Sequence, residues 1–292
     1  MRPPADHPGI RAIGGEDLGG TTSLNLRVGD EVVRVHAAGT SRRRVEALRT
    51  LRLALHDAGL VVGVPTGEVS KVGEWWLERE TFVVAARPPA TWASYVEMFR
   101  AMGVLHRVLA DVDVALPPPR VATYGPPSSL RRWLRTTERF VDVAEVRRLA
   151  RRLDAMWVTD LPRHVLHGDV RLPNIGVTPD GVTAFFDFGF AAVRRRVHDL
   201  AFSLAWVLLR PDDRGTAEAF DWALVPELLD AYGDITDAEV AAIDPYLAAV
   251  PLYLAAVAGF TPDPVRTFDG ERPFVRIAEW VLDNRPCANL SR

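Results

Sequence analysis

Apolar positions recur with a period of two along the first part of the chain and with a helical period along most of the rest. Ile10 to Gly20, Ser23 to Val28 and Glu31 to His36 read as three short strands, the last two joined by a turn at Gly29-Asp30. Val45, Leu48, Leu51 and Leu55 then fall at helical spacing with arginines between them, which predicts a helix from Arg43 to Ala58. Strand character returns from Val69 to Val84. Beyond Pro88-Pro89 the pattern predicts helices over Tyr95 to Leu109, Leu130 to Phe140, Val143 to Trp157, His198 to Leu209 and Pro245 to Phe260. Loops are marked by Pro117-Pro118-Pro119 and Gly125-Pro126-Pro127. Only Val165 to Phe188 interrupts the helices, with two short β-like runs around Pro179-Asp180-Gly181. The expectation is an α+β chain: a β-rich lobe with one helix over residues 1–88, then a larger, mainly helical lobe over 89–292.

Composition narrows the choice of partner. A chain of 292 residues can bury a sizeable core, and its net charge of −3 leaves no basic surplus to meet a phosphate backbone, so nucleic acid is not expected. The most apolar run, Tyr246 to Phe260, reads as a buried core helix too short to span a bilayer, so no membrane is expected. Cys287 is the only cysteine and cannot form an internal disulfide, and the opening MRPPADHPGI lacks the apolar stretch of a secretory signal. A cytoplasmic location is expected. Lysine occurs once, at Lys71, so a phosphate site that needs a cation must draw on arginine.

The chemistry lies in HVLHGDVRLPNIGVTPDGVTAFFDFGFAAVRRRVHDLAF. Asp169 follows His167-Gly168, Asn174 comes five residues later, and a hairpin at Asp180-Gly181 would return Asp187 beside Asn174. Phosphoryl transfer uses these residue types: a carboxylate to orient the acceptor hydroxyl and accept its proton, and oxygen ligands to hold magnesium against the phosphates. Asp169 suits the first role, and Asn174 with Asp187 the second. Singly, such residues are ordinary turn and cap formers. As an ordered set, HGD-x4-N and then DFG, they read as one site.

That segment resembles the catalytic loop and metal motif of the aminoglycoside phosphotransferase and choline kinase superfamily, relatives of the protein kinases. Leu172 to Asn174 and the spacing from Asp187 to Asp199 look closest to the antibiotic phosphotransferases. The resemblance implies a bilobal protein-kinase-like fold with Asp169 as catalytic base, Asn174 and Asp187 as magnesium ligands, and ATP or GTP as donor. It further implies that His167 and Gly168 shape the loop and that Asp199 anchors it. His106 is expected to pack rather than react. Only nine residues separate Gly189 from Asp199, with no APE-like motif, so a protein kinase is not expected.

The same resemblance assigns the nucleotide lobe. Gly19, Gly20, Thr21, Thr22 and Ser23 occupy the place of the phosphate loop, Ser23 falling where some relatives carry asparagine. Arg34 occupies the place of the phosphate-pairing cation, with Glu46 on the following helix as its partner and Lys71 as the rival cation. Glu78 to Val84 is expected to be the hinge that meets the purine.

The acceptor side is assigned only by class. Beyond residue 190 there are 16 acidic and 10 basic residues, a surplus that would steer a cationic acceptor. Asp221, Asp230, Asp234 and Asp237 are candidate contacts, and Trp206, Trp222 and Tyr246 candidate walls. The favoured expectation is a small-molecule O-phosphotransferase for an aminoglycoside, nucleoside or peptide antibiotic. The alternatives are a metabolic kinase for homoserine, choline or a sugar, and a nucleotide-binding module without transfer activity. No oligomeric state is predicted.

Overall fold

In the computed structural model, residues 2–20, 22–119, 123–208 and 220–288 are described. The first lobe is one antiparallel sheet. Its strands are β1 (Glu16–Asp17), β2 (Leu24–Val28), β3 (Glu31–Val35), β5 (Pro65–Val72) and β6 (Trp75–Thr81), in the order β1-β2-β3-β6-β5. The strand expected from Ile10 is replaced by a one-turn helix, α1 (Pro8–Arg11), which Pro8 opens, and strand pairing begins only at Glu16. Ile10 instead packs with Leu24, Leu26, Val33, Val35 and Leu77 on the outer face of the sheet.

The inner face is covered by α2 (Arg42–Asp57), whose first turn is capped by Ser41 Oγ accepting from the Arg44 N–H at 3.2 Å. Register places Arg34 opposite Glu78 and Val32 opposite Glu80. Directly opposed residues share a face, so Arg34, Glu78 and Glu80 all lie on the α2 side, and the polar core of this lobe collects there. β4 (Val61–Val62) leaves the lobe and pairs in parallel with a strand of the second.

The second lobe is helical: α3 (Trp92–Ala110), α4 (Pro127–Thr137), α5 (Ala144–Met156), α6 (Val197–Leu208), α7 (Val225–Tyr232), α8 (Asp237–Ala256) and α9 (Pro264–Asn284). Between α5 and α6 lie β7 (Arg163–Leu166), β8 (Ile175–Val177), β9 (Thr183–Phe185) and β10 (Ala192–Arg195). β7 pairs with β10, and β9 lies between β4 and β8. Each hairpin brings its two ends together, which carries Asp169, Asn174 and Asp187 to one edge.

α8 starts at a capping box formed by Thr236 and Glu239 and is apolar all round. With the short turn that follows, it runs 24 residues from Asp237 to Phe260, long and apolar enough to cross a membrane and not too short as expected from sequence. Yet 83% of its apolar window is buried inside the molecule. It is the core helix of the second lobe, packed against α4, α5, α6 and α9. The predicted helices are present, most with ends shifted by a few residues; the one expected from Pro245 begins eight residues earlier, at Asp237, and Leu209, an expected helix end, lies outside the described residues. α7 and α9 are additional, α9 having been obscured by Pro273 and by mixed charge.

Candidate active site

The loop after β7 is fixed from three sides. Gly168 sits at φ +83°, and a Cβ there would lie 2.5 Å from the Phe190 carbonyl oxygen, so only glycine fits. The Gly168 N–H donates to both carboxylate oxygens of Asp199, at 3.1 Å each. His167 Nε2 donates to the Phe186 carbonyl at 2.8 Å, and its Nδ1 accepts from the Asp169 N–H at 3.2 Å. One imidazole thus ties the loop after β7 to the strand that delivers Asp187.

Asp199 is fully buried and also bonds His106 Nε2 at 3.3 Å and His198 Nδ1 at 3.2 Å. Burial opposes its charge, but the bonds from both histidines more than compensate and hold its pKa well below the usual carboxylate range. His106, bonded on its other side to the Tyr232 hydroxyl at 2.9 Å, is a packing and anchoring residue.

Asp169 is 2% exposed. Asn174 Nδ2 donates to the Asp169 backbone carbonyl at 2.8 Å and to Asp169 Oδ2 at 2.9 Å, which leaves the amide oxygen of Asn174 turned away from these contacts. Arg171 grips the same carboxylate, and its guanidinium lies 4.6 Å from the Trp206 ring centre. Burial raises the Asp169 pKa, with Arg171 working in the opposite direction. Asp187 adopts the left-handed conformation, φ 57° and ψ 65°, a strained setting that short polar side chains tolerate best. Its Oδ1 accepts from the Gly189 N–H at 3.3 Å and faces Arg34 Nη1 at 3.6 Å.

Magnesium fits this donor set. Among the described residues no three His, Cys, Asp or Glu side chains gather to hold a metal. An amide oxygen and a partly exposed carboxylate are instead the hard, sparse ligands of an ion whose remaining positions go to water and phosphate.

In the first lobe, Arg34 is brought to Asp187, but Glu46 is not brought to Arg34. Glu46 lies on the exposed side of α2, paired with Arg42 at 2.7 Å one helical turn away. The acids beside Arg34 come from β6: Glu80 at 3.0 Å and Glu78 at 3.9 Å. Burial works against the Arg34 charge, but Glu80, Asp187 and Glu78 outweigh it and raise its pKa. Glu78 is drawn down to about 2, its burial offset by Arg52, His36 and Arg34. Glu78 and Glu80, in the first part of the expected hinge, therefore belong to a strand and point at α2. The lobe connection itself is tied by a two-bond bridge between Ala86 and Val177, at 2.8 and 2.9 Å. Lys71 is exposed, 5.3 Å from the Trp76 ring centre.

Gly20, at φ +119°, turns so tightly that a Cβ would meet the Ser23 carbonyl oxygen at 2.6 Å. Asn25 Nδ2 donates to the Gly19 carbonyl at 3.0 Å, and the Gly19 N–H donates to Asp17 Oδ1 at 2.8 Å. Thr21 lies outside the described residues. Thr22 and Ser23 open onto a cavity of about 780 Å³, bounded also by the start of α2, Gly189-Phe190, Trp133 and Phe260. Among the described residues its ionisable lining side chains are His36 and Arg44.

On the acceptor side, Tyr246 is buried against Trp157 and donates to the Val158 carbonyl at 3.0 Å, which makes it core. Trp222 stacks on Trp280, and Asp221 caps the short turn at Trp222. Asp230, Asp234 and Asp237 lie on exposed surface.

Sequence reasoning missed Arg171, Arg52, Glu78 and Glu80. Two signals were present. Arg52 interrupts the apolar face of α2 between Leu48 and Leu55, and Glu78 and Glu80 fall two apart, on one face of a strand.

A profile of the phosphotransferase enzyme family matches residues 16–246. A 92-residue stretch is 36% identical to homoserine kinase of Methylorubrum populi, spanning 31% of this chain and 28% of that one. Amicoumacin kinase hAmiN, solved with AMP-PNP, Ca2+ and Ami, superposes with a TM-score of 0.66 at 14% identity, over 94% of this chain and 90% of that one. A microcompartment-associated aminopropanol kinase gives a TM-score of 0.70 at 15% identity, over 92% and 91%. These two likenesses show the protein-kinase-like fold.

Proposed function

The chain belongs to the phosphotransferase enzyme family, and we propose that the group it transfers is the γ-phosphoryl of a nucleoside triphosphate, moved with magnesium to a hydroxyl of a small molecule. The observation that carries the proposal is a run of contacts: Asn174 bonds Asp169, the Phe186 N–H donates to the Asn174 carbonyl and so sets the next residue, Asp187, beside them, and Arg34 of the first lobe reaches Asp187. Asp169, raised in basicity by burial, receives the acceptor proton as its oxygen meets phosphorus. Asn174 and Asp187 would hold the metal, which would offset the negative charge of the phosphates. Arg34, which reaches Asp187, pairs with the phosphates.

For the acceptor, the reading is an antibiotic hydroxyl, in keeping with the motif spacing from Asp187 to Asp199. A second reading, a metabolic kinase for a compound such as homoserine, draws support from the cavity. Among the described residues no carboxylate lines it while His36 and Arg44 do, which suits a neutral or carboxylate-bearing acceptor better than a polycation. Nucleotide turnover with ATP and GTP over a panel of aminoglycoside, nucleoside and peptide antibiotics, homoserine, choline and sugars separates the two. Turnover with no acceptor, or turnover indifferent to magnesium, would overturn the proposal.

A further inference from the structure

Three carboxylates surround the Arg34 guanidinium, and none of them comes from the helix that packs over it. α2 sends the opposite charge into this space: Arg52, 3% exposed, pairs with Glu78 and lies 3.3 Å from Glu80 Oε2. The ion-pair polarity expected of a helix acid and a strand cation is therefore reversed across the α2–β6 contact.

The two glutamates have different commitments. Glu78 is closed off by His36 Nε2 at 2.9 Å and by Arg52. Glu80 gives one oxygen to Arg34, while its other oxygen and the Nε atoms of Arg34 and Arg52 are buried without a hydrogen-bond partner. Gly63 backs the Glu80 carboxylate closely, since a Cβ there would lie 2.9 Å from Glu80 Cδ. Gly63 thus leaves the Glu80 carboxylate the space it occupies, and a side chain there would have to displace it.

Taking Arg34 as the cation that meets the nucleotide phosphates, we infer that Glu80 is its positioning residue. An alternating chain, Asp187, Arg34, Glu80 and Arg52, runs from the metal site to α2. When a metal ion engages Asp187, Arg34 loses one of its three acids, and Glu80 is the one within hydrogen-bond reach that keeps the guanidinium in place. β3 and β6 are neighbours in one ladder, so this hold does not depend on where the exposed side of α2 lies.

The test is calorimetric binding of magnesium with a non-hydrolysable ATP or GTP analogue to the full chain, alongside binding of the corresponding nucleoside. Glu80→Gln should weaken the triphosphate analogue by about tenfold or more and leave the nucleoside unchanged. Glu80→Asp should fall between, and Glu46→Gln should match the wild type. Gly63→Ala, which displaces the carboxylate without altering charge, should reproduce the Glu80→Gln loss and carries the test if Glu80→Gln does not fold. Equal loss of nucleoside and triphosphate binding would mark Glu80 as merely structural and overturn the inference. So would wild-type affinity in Glu80→Gln or Gly63→Ala, or a loss confined to Glu46→Gln. If the wild type binds neither analogue, the nucleotide reading itself fails, and the inference falls with it.

Discussion

Arg171 closes a two-point ion pair on Asp169, with Nε 2.6 Å from Oδ1 and Nη2 3.0 Å from Oδ2. The guanidinium favours the charged carboxylate and works against the burial that raises the Asp169 pKa. Arg171→Ala should leave burial unopposed and raise the Asp169 pKa. The acid limb of the pH–rate profile should then move to higher pH, with lower kcat/KM at neutrality. An unmoved acid limb would show that Arg171 does not act through Asp169.

Asp169→Asn keeps the shape of the loop and removes the proton acceptor. Turnover should fall by about 10²–10⁴-fold, while nucleotide affinity stays near the wild-type value, because the proposal gives the carboxylate to the acceptor hydroxyl and not to the phosphates. Retention of more than half of kcat would remove Asp169 from the mechanism.

Asn174→Ala and Asp187→Ala should weaken the metal-dependent step instead. Residual activity in both should rise as magnesium is raised, more steeply than in the wild type. Asp187→Ala should in addition loosen Arg34, which loses its 3.6 Å neighbour. Activity indifferent to metal concentration would contradict the ligand assignment.

The parts of this site readable in the sequence are those where spacing alone fixes geometry. His167, Gly168, Asp169, Asn174 and Asp187 sit in one short segment folded by local turns, so their meeting follows from the hairpins. The partner of Arg34 was not readable in that way. Helix periodicity puts Glu46 somewhere on α2 but does not say which stripe faces the sheet. The answer lay in the apolar stripe of Val45, Leu48 and Leu55, from which Glu46 is turned away and into which Arg52 is inserted. Glu78 and Glu80 were read as part of a hinge because a strand's end is set by its pairing, and pairing with β3 continues to Thr81. The strand expected from Ile10 failed for a similar reason, since no neighbour pairs with it before Glu16.

Arg34 and Lys71 are the rival cations, and their surroundings separate them. Arg34 is buried among acids beside Asp187, whereas Lys71 is exposed on β5. Arg34→Ala should raise the nucleotide KM and lower kcat with little change in acceptor KM. Losing a charge-assisted contact of this kind costs about 1.5–3 kcal/mol, roughly ten- to more than a hundredfold in kcat/KM. Lys71→Ala should be kinetically silent. The reverse result would move the phosphate contact to β5.

Stability should fall on mild acidification because of His198. Its Nδ1 donates to Asp199 at 3.2 Å, and its Nε2 accepts from Arg194 at 2.8 Å, so the folded chain holds the ring neutral. Burial, and then Arg194, push its pKa from 6.5 down to about 4. Between those values the unfolded chain binds a proton that the folded chain refuses, so stability rises with pH across this window and is lost as pH falls. A gap of this size amounts to about 3 kcal/mol. His164, whose pKa is also lowered by burial, adds in the same direction. Below pH 4 the depressed Asp199 continues the trend, because its carboxylate is protonated in the unfolded chain first. Urea denaturation at pH 7 and pH 4.5 should show the loss in the wild type and a clearly smaller one in His198→Asn. An equal loss in both would place the acid sensitivity elsewhere.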